Sequence, residues 1–289
     1  MKHAFLITAY RDWKSLYALI EQLLKVENSR IYINIDKRSI HLIESLEKLI
    51  NENLASRIFL KKDETIHWGG FNHLSAFMNL MSKAINDQCE YFHTMTGQCR
   101  LTKSPADFLE FFKINKTNSY VEYFQLPYKS WAGSGGLKRV KYYQLYDVLD
   151  AKKSPKLFRR LNKHFIHLQQ LMRINRLKDN IYYGGSTYFS LSREACLYLF
   201  QEFQSRKGEF KYTFCPEEIA PQTILLNAPE ILTKNLFGNN LRYVLWEEKN
   251  GETPGILDDD DLNPIKEGNY FFARKFDGVI SKNLVKNLG

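Results

Sequence analysis

The stretch Ala4-Phe5-Leu6-Ile7-Thr8-Ala9 is an unbroken run without charge, ending just before Arg11 and Asp12, and Arg30-Ile31-Tyr32-Ile33-Asn34-Ile35 further on alternates apolar and polar side chains before Asp36 and Lys37. Both read as β-strands. Between them Leu16, Leu19, Ile20, Leu23 and Leu24 recur at helical spacing and put an apolar stripe on one helix face. Strand, helix, strand is the order of a βαβ unit and a largely parallel sheet. The pattern continues with a helix over 40–51, a strand over 57–60, a helix over 74–85 and a strand over 91–95. Later, Tyr182 to Leu191 reads as a strand opened by Gly184-Gly185-Ser186, and 193–203 as a helix. The fold class is α/β.

With 289 residues, 44% of them hydrophobic and 25% charged, the chain has the composition of a folded globular protein and is long enough for one large α/β domain or two small ones. The cysteines Cys89, Cys99, Cys196 and Cys215 form no C-x-x-C pair, which argues against a structural zinc site and for reduced thiols in a cytoplasmic protein. The apolar run at 4–9 is too short for a signal peptide or a membrane span.

Charge is concentrated in one place. Lys152, Lys153, Lys156, Arg159, Arg160, Lys163, Arg173, Arg176 and Lys178 fall in a stretch with no acidic residue, and these nine cations account for the whole formal net charge of +9. The body of the protein is therefore not a basic nucleic-acid binder, and no nucleic-acid partner is expected. Residues 151–180 read as an inserted basic amphipathic helical arm, with Leu157, Phe158, Leu161, Phe165, Leu168, Leu171 and Met172 as its apolar stripe. Such an arm either packs its stripe on the domain or, through 152–178, makes peripheral contact with the inner face of a membrane.

Ligands of α/β sheets sit beyond the carboxyl ends of the strands, which singles out Thr8 to Arg11, Asp36-Lys37 and Thr96 to Arg100. No G-x-G-x-x-G or Walker sequence is present, so Rossmann dehydrogenases and P-loop enzymes are disfavoured. Four segments have the composition for chemistry. In Cys215-Pro216-Glu217-Glu218, at the start of a helical pattern, one carboxylate faces a cleft as a general base, or both complement a helix dipole. In Phe272-Ala273-Arg274-Lys275-Phe276 two cations between aromatic residues suit a diphosphate, or are merely solvated. Asp258 to Asp261 reads as a solvated turn better than as a metal site, and His67-Trp68-Gly69-Gly70 as a tight turn or a close backbone approach to a ligand.

Taken in order, these segments resemble the core-2/I-branching glycosyltransferase family, the β-1,6-N-acetylglucosaminyltransferases that include the peptide O-xylosyltransferases. The resemblance runs from about residue 3 to residue 277 and is to a bacterial-type member. It is carried by Tyr32-Ile33-Asn34-Ile35-Asp36-Lys37-Arg38, Trp68-Gly69-Gly70, Met95-Thr96-Gly97-Gln98, Tyr120-Val121-Glu122, Tyr183-Gly184-Gly185-Ser186, Cys215-Pro216-Glu217-Glu218, Leu241 to Trp246 and Phe272 to Asp277.

The resemblance implies a single GT-A type domain over 1–289 and an inverting, metal-independent transfer from a UDP-sugar, with no cofactor. It implies Glu218 as catalytic base and Lys275 as a cation on the donor diphosphate, with Arg274 proposed beside it. Ala9, Arg11 and Asp36 fall at the nucleotide-sugar side, and Trp68, Glu122, Gly185, Ser186 and Trp246 on the acceptor side. Cys99 stands where the family often has Asp. The sugar expected is N-acetylglucosamine, with UDP-xylose and UDP-galactose as alternative donors, and the acceptor a glycan or lipid-linked glycan in surface polysaccharide or glycoconjugate synthesis. The rival of another class is a non-catalytic protein that binds anionic glycan or nucleic acid through 152–178.

Overall fold

The computed structural model describes residues 1–51, 54–149, 151 and 155–288. Lys152 and Lys153 of the basic stretch lie outside the described residues. The sequence-derived alternation is present as β1 (His3–Ala9), α1 (Trp13–Leu24), β2 (Ser29–Ile35), α2 (Ile40–Asn51), β3 (Ile58–Lys61), α3 (Phe71–Asn86) and β4 (Tyr91–Thr96). There follow β5 (Cys99–Leu101), α4 (Pro105–Ile114), β6 (Ser119–Val121), β7 (Phe124–Gln125), β8 (Tyr183–Gly184), β9 (Phe189–Ser192), β10 (Leu236–Phe237), β11 (Arg242–Val244) and β12 (Phe272–Arg274). The continuous strand expected over 182–191 is broken in two: β8 pairs with β7 in a separate two-stranded sheet, and β9 lies between β4 and β6.

Seven strands form the central sheet in the order β10-β6-β9-β4-β1-β2-β3. β1 pairs in parallel with β2 and β4, and β2 with β3, whereas β9 runs antiparallel to β4 and β6. The sheet is thus mixed, a Rossmann-like layer of the GT-A type with helices on both faces. A second sheet, β11-β12-β5, sets antiparallel β12 against β5 and so brings the C-terminal Arg274-Lys275 next to the Thr96–Leu101 loop.

The alternation of side chains along β1 explains why its sequence looks continuously apolar. Ala4 and Leu6 face one core with Phe77, Leu80, Leu199 and Ile224, while Phe5, Ile7 and Ala9 face another with Leu16, Leu19, Leu23 and Phe108. Both faces are covered, so no polar alternation is needed. α1 begins where Asp12 accepts a hydrogen bond from the Ser15 amide at 3.0 Å, and Ser104 caps α4 in the same way, with Pro105 in its first turn.

One polar pair is sealed in the aromatic part of this core. His3 and His93 are fully buried, joined Nδ1 to Nε2 at 3.1 Å, and His93 meets Ser190 Oγ at 2.9 Å. Burial lowers the His3 pKa to about 3, with help from the nearby N-terminal charge, and holds His93 well below the usual imidazole range. Both histidines are neutral in the folded state and gain protons on unfolding below the ordinary pKa of about 6.5. Stability is therefore lost as the pH falls from about 6.5 toward 3. The melting temperature is expected to drop between about pH 7 and about pH 5, with a smaller drop in His93→Leu; an identical pH dependence in that variant would contradict this origin.

Candidate active site

The carboxyl ends of β1, β2 and β4 open into a cavity of about 860 Å³, lined by residues of the three segments singled out from the sequence, Thr8 to Arg11, Asp36 and Thr96 to Gln98, and also by Arg38. Glu217, Glu218, Arg274, Lys275, Trp68 and Trp246 line the same cavity. The order of the central strands places this opening where parallel strands on one side meet the antiparallel β9 on the other.

The acidic pair lies not on an α-helix but on a single 3₁₀ turn, Pro216–Glu218, which precedes the helix Ala220–Leu226. The tight turn lets both carboxylates line the cavity, so the helix-based expectation that only one could face it is corrected. The turn is fixed at both ends. The Cys215 amide donates to the Gly69 carbonyl at 2.8 Å, and the Gly185 amide donates to the Glu218 carbonyl at 2.9 Å. Gly69 has φ +77°, a conformation that favours glycine.

The two acids have different surroundings. Glu217 is buried, with Oε1 2.9 Å from His73 Nδ1, and His73 Nε2 is 3.3 Å from Thr8 Oγ1. Glu218 is half-buried, and its Oε2 accepts from Arg139 Nη1 at 2.7 Å. Arg139 is itself held over the Trp131 ring at 3.8 Å. Burial, reinforced by the charge of Glu217 and opposed by Arg139 and His73, pushes the Glu218 carboxyl up to about 7. A carboxyl with such a pKa takes up and releases a proton near neutrality, as a general base must.

The cations stand on other segments of the cavity wall. Arg274 lies 4.8 Å from the centre of the Tyr188 ring, and its Nε is buried with no hydrogen-bond partner among the described residues. Lys275 is buried and pairs with Glu252. Arg11 clasps the same carboxylate with its Nη2 at 3.0 and 2.9 Å from the two oxygens. Glu252 thus bridges two cations from distant parts of the chain.

The expected site residues have different surroundings. Asp36 borders the cavity, but its carboxylate accepts from the Arg38 amide, Nε and Nη2 and from the Ile66 amide, at 2.7–2.9 Å. Burial raises its pKa less than these bonds lower it, and the four acceptor positions are already used. The same bonds orient Arg38. Glu122, Gly185 and Ser186 do not line the cavity. Burial pushes the Glu122 carboxyl up, and it accepts from Asn240 Nδ2 at 2.8 Å. Ser186 is buried, with its Oγ accepting from the Tyr188 amide at 3.2 Å and its carbonyl from Gln222 Nε2 at 2.7 Å. Gly185 and Ser186 support the loop behind the acid. Trp68 and Trp246 are half exposed at the rim. The turn at Asp258 to Asp261 is solvated at Asp259 and Asp260, whereas Asp258 and Asp261 hold Lys249 at 2.6 and 2.7 Å and Asp261 is buried. Among the described residues no group of three or more His, Cys, Asp or Glu side chains is placed to hold a metal ion, and the four cysteines are free and buried.

His73, Arg139 and Glu252 were not expected. His73 is a polar residue in the first turn of α3, directly after Trp68-Gly69-Gly70, which is a weak local signal. Arg139 and Glu252 have none, because their partners are 79 and 241 residues away.

The family model described as Core-2/I-Branching enzyme matches residues 3–266, and the chain belongs to this family. It is a glycosyltransferase of the core-2/I-branching type. A search of curated proteins finds no match. Among solved structures, the chain is similar to a Bacillus anthracis protein described as a putative glucose-1-phosphate thymidylyltransferase in complex with a sucrose, at 12% identity and TM-score 0.32, covering 74% of this chain and 80% of that one. It is also similar to a mannose-1-phosphate geranyltransferase from Thermus thermophilus, at 10% identity and TM-score 0.36, covering 82% of this chain and 68% of that one. Likenesses this distant say nothing about substrate.

Gly185 is where the acid turn is most exposed to substitution. A Cβ there would lie 1.9 Å from the Glu122 carbonyl oxygen, a backbone atom that cannot move aside. Gly185→Ala is expected to lose at least about 1–3 kcal/mol of stability in denaturant unfolding and to displace Glu218. Wild-type stability in that variant would contradict the packing described.

Proposed function

We propose that this glycosyltransferase moves a sugar, N-acetylglucosamine in preference to xylose or galactose, from a UDP-sugar to a hydroxyl of a glycan or lipid-linked glycan, with inversion and without a divalent cation. The observation that carries the reading is one cavity lined at once by a carboxyl poised near neutral pH and by Arg11, Arg274 and Lys275. The chemistry needs both. The acceptor oxygen attacks the anomeric carbon and forms the new glycosidic bond as the bond to the β-phosphate oxygen breaks. Glu218 takes the hydroxyl proton, and the negative charge gathered on UDP is met by the fixed cations.

Arg139 fixes one oxygen of Glu218, leaving the other to receive the proton. The half-exposed rings of Trp68 and Trp246 offer flat apolar faces at the cavity mouth for sugar rings of the acceptor. Glu252 has the opposite role: it holds two of the cations that the diphosphate would use, so donor binding must displace it. Use in surface polysaccharide or glycoconjugate synthesis follows from the proposed acceptor class.

Removal of the base is the first test. Glu218→Gln should lower transfer about 10²- to 10⁴-fold while isothermal titration still detects UDP, and wild-type transfer should persist in excess chelator. Because the base must be unprotonated, wild-type kcat/KM should rise with pH through about 7 and flatten above it. A flat profile from about pH 5 to about pH 9, or full activity in Glu218→Gln, would contradict the assignment.

Glu252 gives a second test. Glu252→Gln removes the carboxylate shared by Arg11 and Lys275 and should tighten UDP by up to about fivefold for each ion pair, since a partly exposed ion pair is worth up to about 1 kcal/mol. Unchanged or weaker UDP affinity in this variant would show that Glu252 does not compete with the diphosphate.

A further inference from the structure

The basic arm resolves into three faces. Its helix, Pro155–Leu171, is seated by Phe158, Asn162 and Gln169, which are buried. Asn162 Oδ1 accepts from the Leu145 amide at 2.9 Å, Gln169 brackets the backbone of Tyr143 at 2.8 and 2.9 Å, and the Phe158 ring lies 4.6 Å from that of Tyr146. The stripe read from the sequence is therefore not what packs: of it, only Phe158 is buried and Phe165 partly so. Leu157, Leu161, Leu168, Leu171 and Met172 all face outward, Leu161 being 44% exposed and Leu171 68%.

At about 100° per residue these outward side chains share one face, and Lys156, Arg159, Arg160 and Lys163, all exposed, occupy the adjacent one. We infer that this surface docks on an anionic phospholipid bilayer, with the leucines entering the acyl boundary and the cations meeting the headgroups. An outward apolar stripe bordered by a basic face on a helix lying along the surface is the arrangement of interfacial helices. No helix among the described residues is long and apolar enough to cross a membrane, so contact here is by lying on the surface.

Charge selects the lipid over a second copy of the chain. No acidic residue lies between 151 and 178 to receive these cations, and pairing two such arms would set like charges side by side. The inference does not depend on the reaction, but it gives the cavity a place to work. Tyr146, beneath the helix, stacks 4.3 Å from Phe214, whose ring is 5.4 Å from Trp68 at the cavity rim. Docking through the arm would bring that rim toward the bilayer surface, where a lipid-linked acceptor would be found.

Flotation of the full chain with vesicles of phosphatidylglycerol and phosphatidylcholine, and with phosphatidylcholine alone, tests the surface. Binding is expected only to the anionic vesicles and is expected to fall in high salt. Arg159→Gln/Arg160→Gln/Lys163→Gln should weaken it by about fivefold per cation removed. Leu161→Glu/Leu168→Glu should abolish it, with an unchanged melting temperature and circular dichroism spectrum showing that the fold is retained. Absence of binding to anionic vesicles, or unchanged binding by the Glu variant, would overturn the inference. So would a wild-type dimer in light scattering that the Glu variant converts to monomer, since a second copy would then own the stripe.

Discussion

The site depends on keeping one carboxylate partly out of water while leaving it able to ionise. Glu218 achieves this through opposing neighbours: burial and the adjacent Glu217 disfavour its charge, and Arg139 favours it. Without Arg139 the carboxyl would be held neutral, and without burial it would be ionised but a weak base. Each neighbour is in turn held by something else. Glu217 is gripped by His73, which bonds to Thr8 on β1, and Arg139 is held over Trp131. Glu218 is thus tied to the central sheet and to the segment on which the basic arm rests.

The first four strands and the first three helices were legible because burial on both faces of a parallel sheet leaves an unbroken apolar run in Ala4–Ala9, and because Arg30–Ile35 alternates with period 2 and Leu16–Leu24 recurs with period 3.6. The segments at the strand ends were legible for the same reason, since topology puts them on one side of the sheet. What could not be read was mostly polar and long-range. The sequence places Glu217 and Glu218 side by side, but only the 3₁₀ turn, pinned by Gly69 and Gly185, aims both into one cavity. Asp36 shows a different limit: its position could be expected, but not that Arg38 and the Ile66 amide use up its acceptor positions.

The arm shows how an amphipathic pattern can mislead. Its apolar stripe could equally have packed on the domain, yet the helix is seated by Asn162 and Gln169, whose side chains bond the backbone of Leu145 and Tyr143. A polar seat frees the leucines for the outside. Such a seat has no periodicity that distinguishes it from a solvated face.

Glu252 connects the cations to the question of whether a diphosphate belongs between them. A crystal structure of the chain with UDP would decide it most directly. The account places the diphosphate against Arg11, Arg274 and Lys275, with Glu252 swung away and the Glu218 carboxylate facing the β-phosphate side of the cavity. UDP bound elsewhere, with Glu252 still clasped to Arg11 and Lys275, would contradict it.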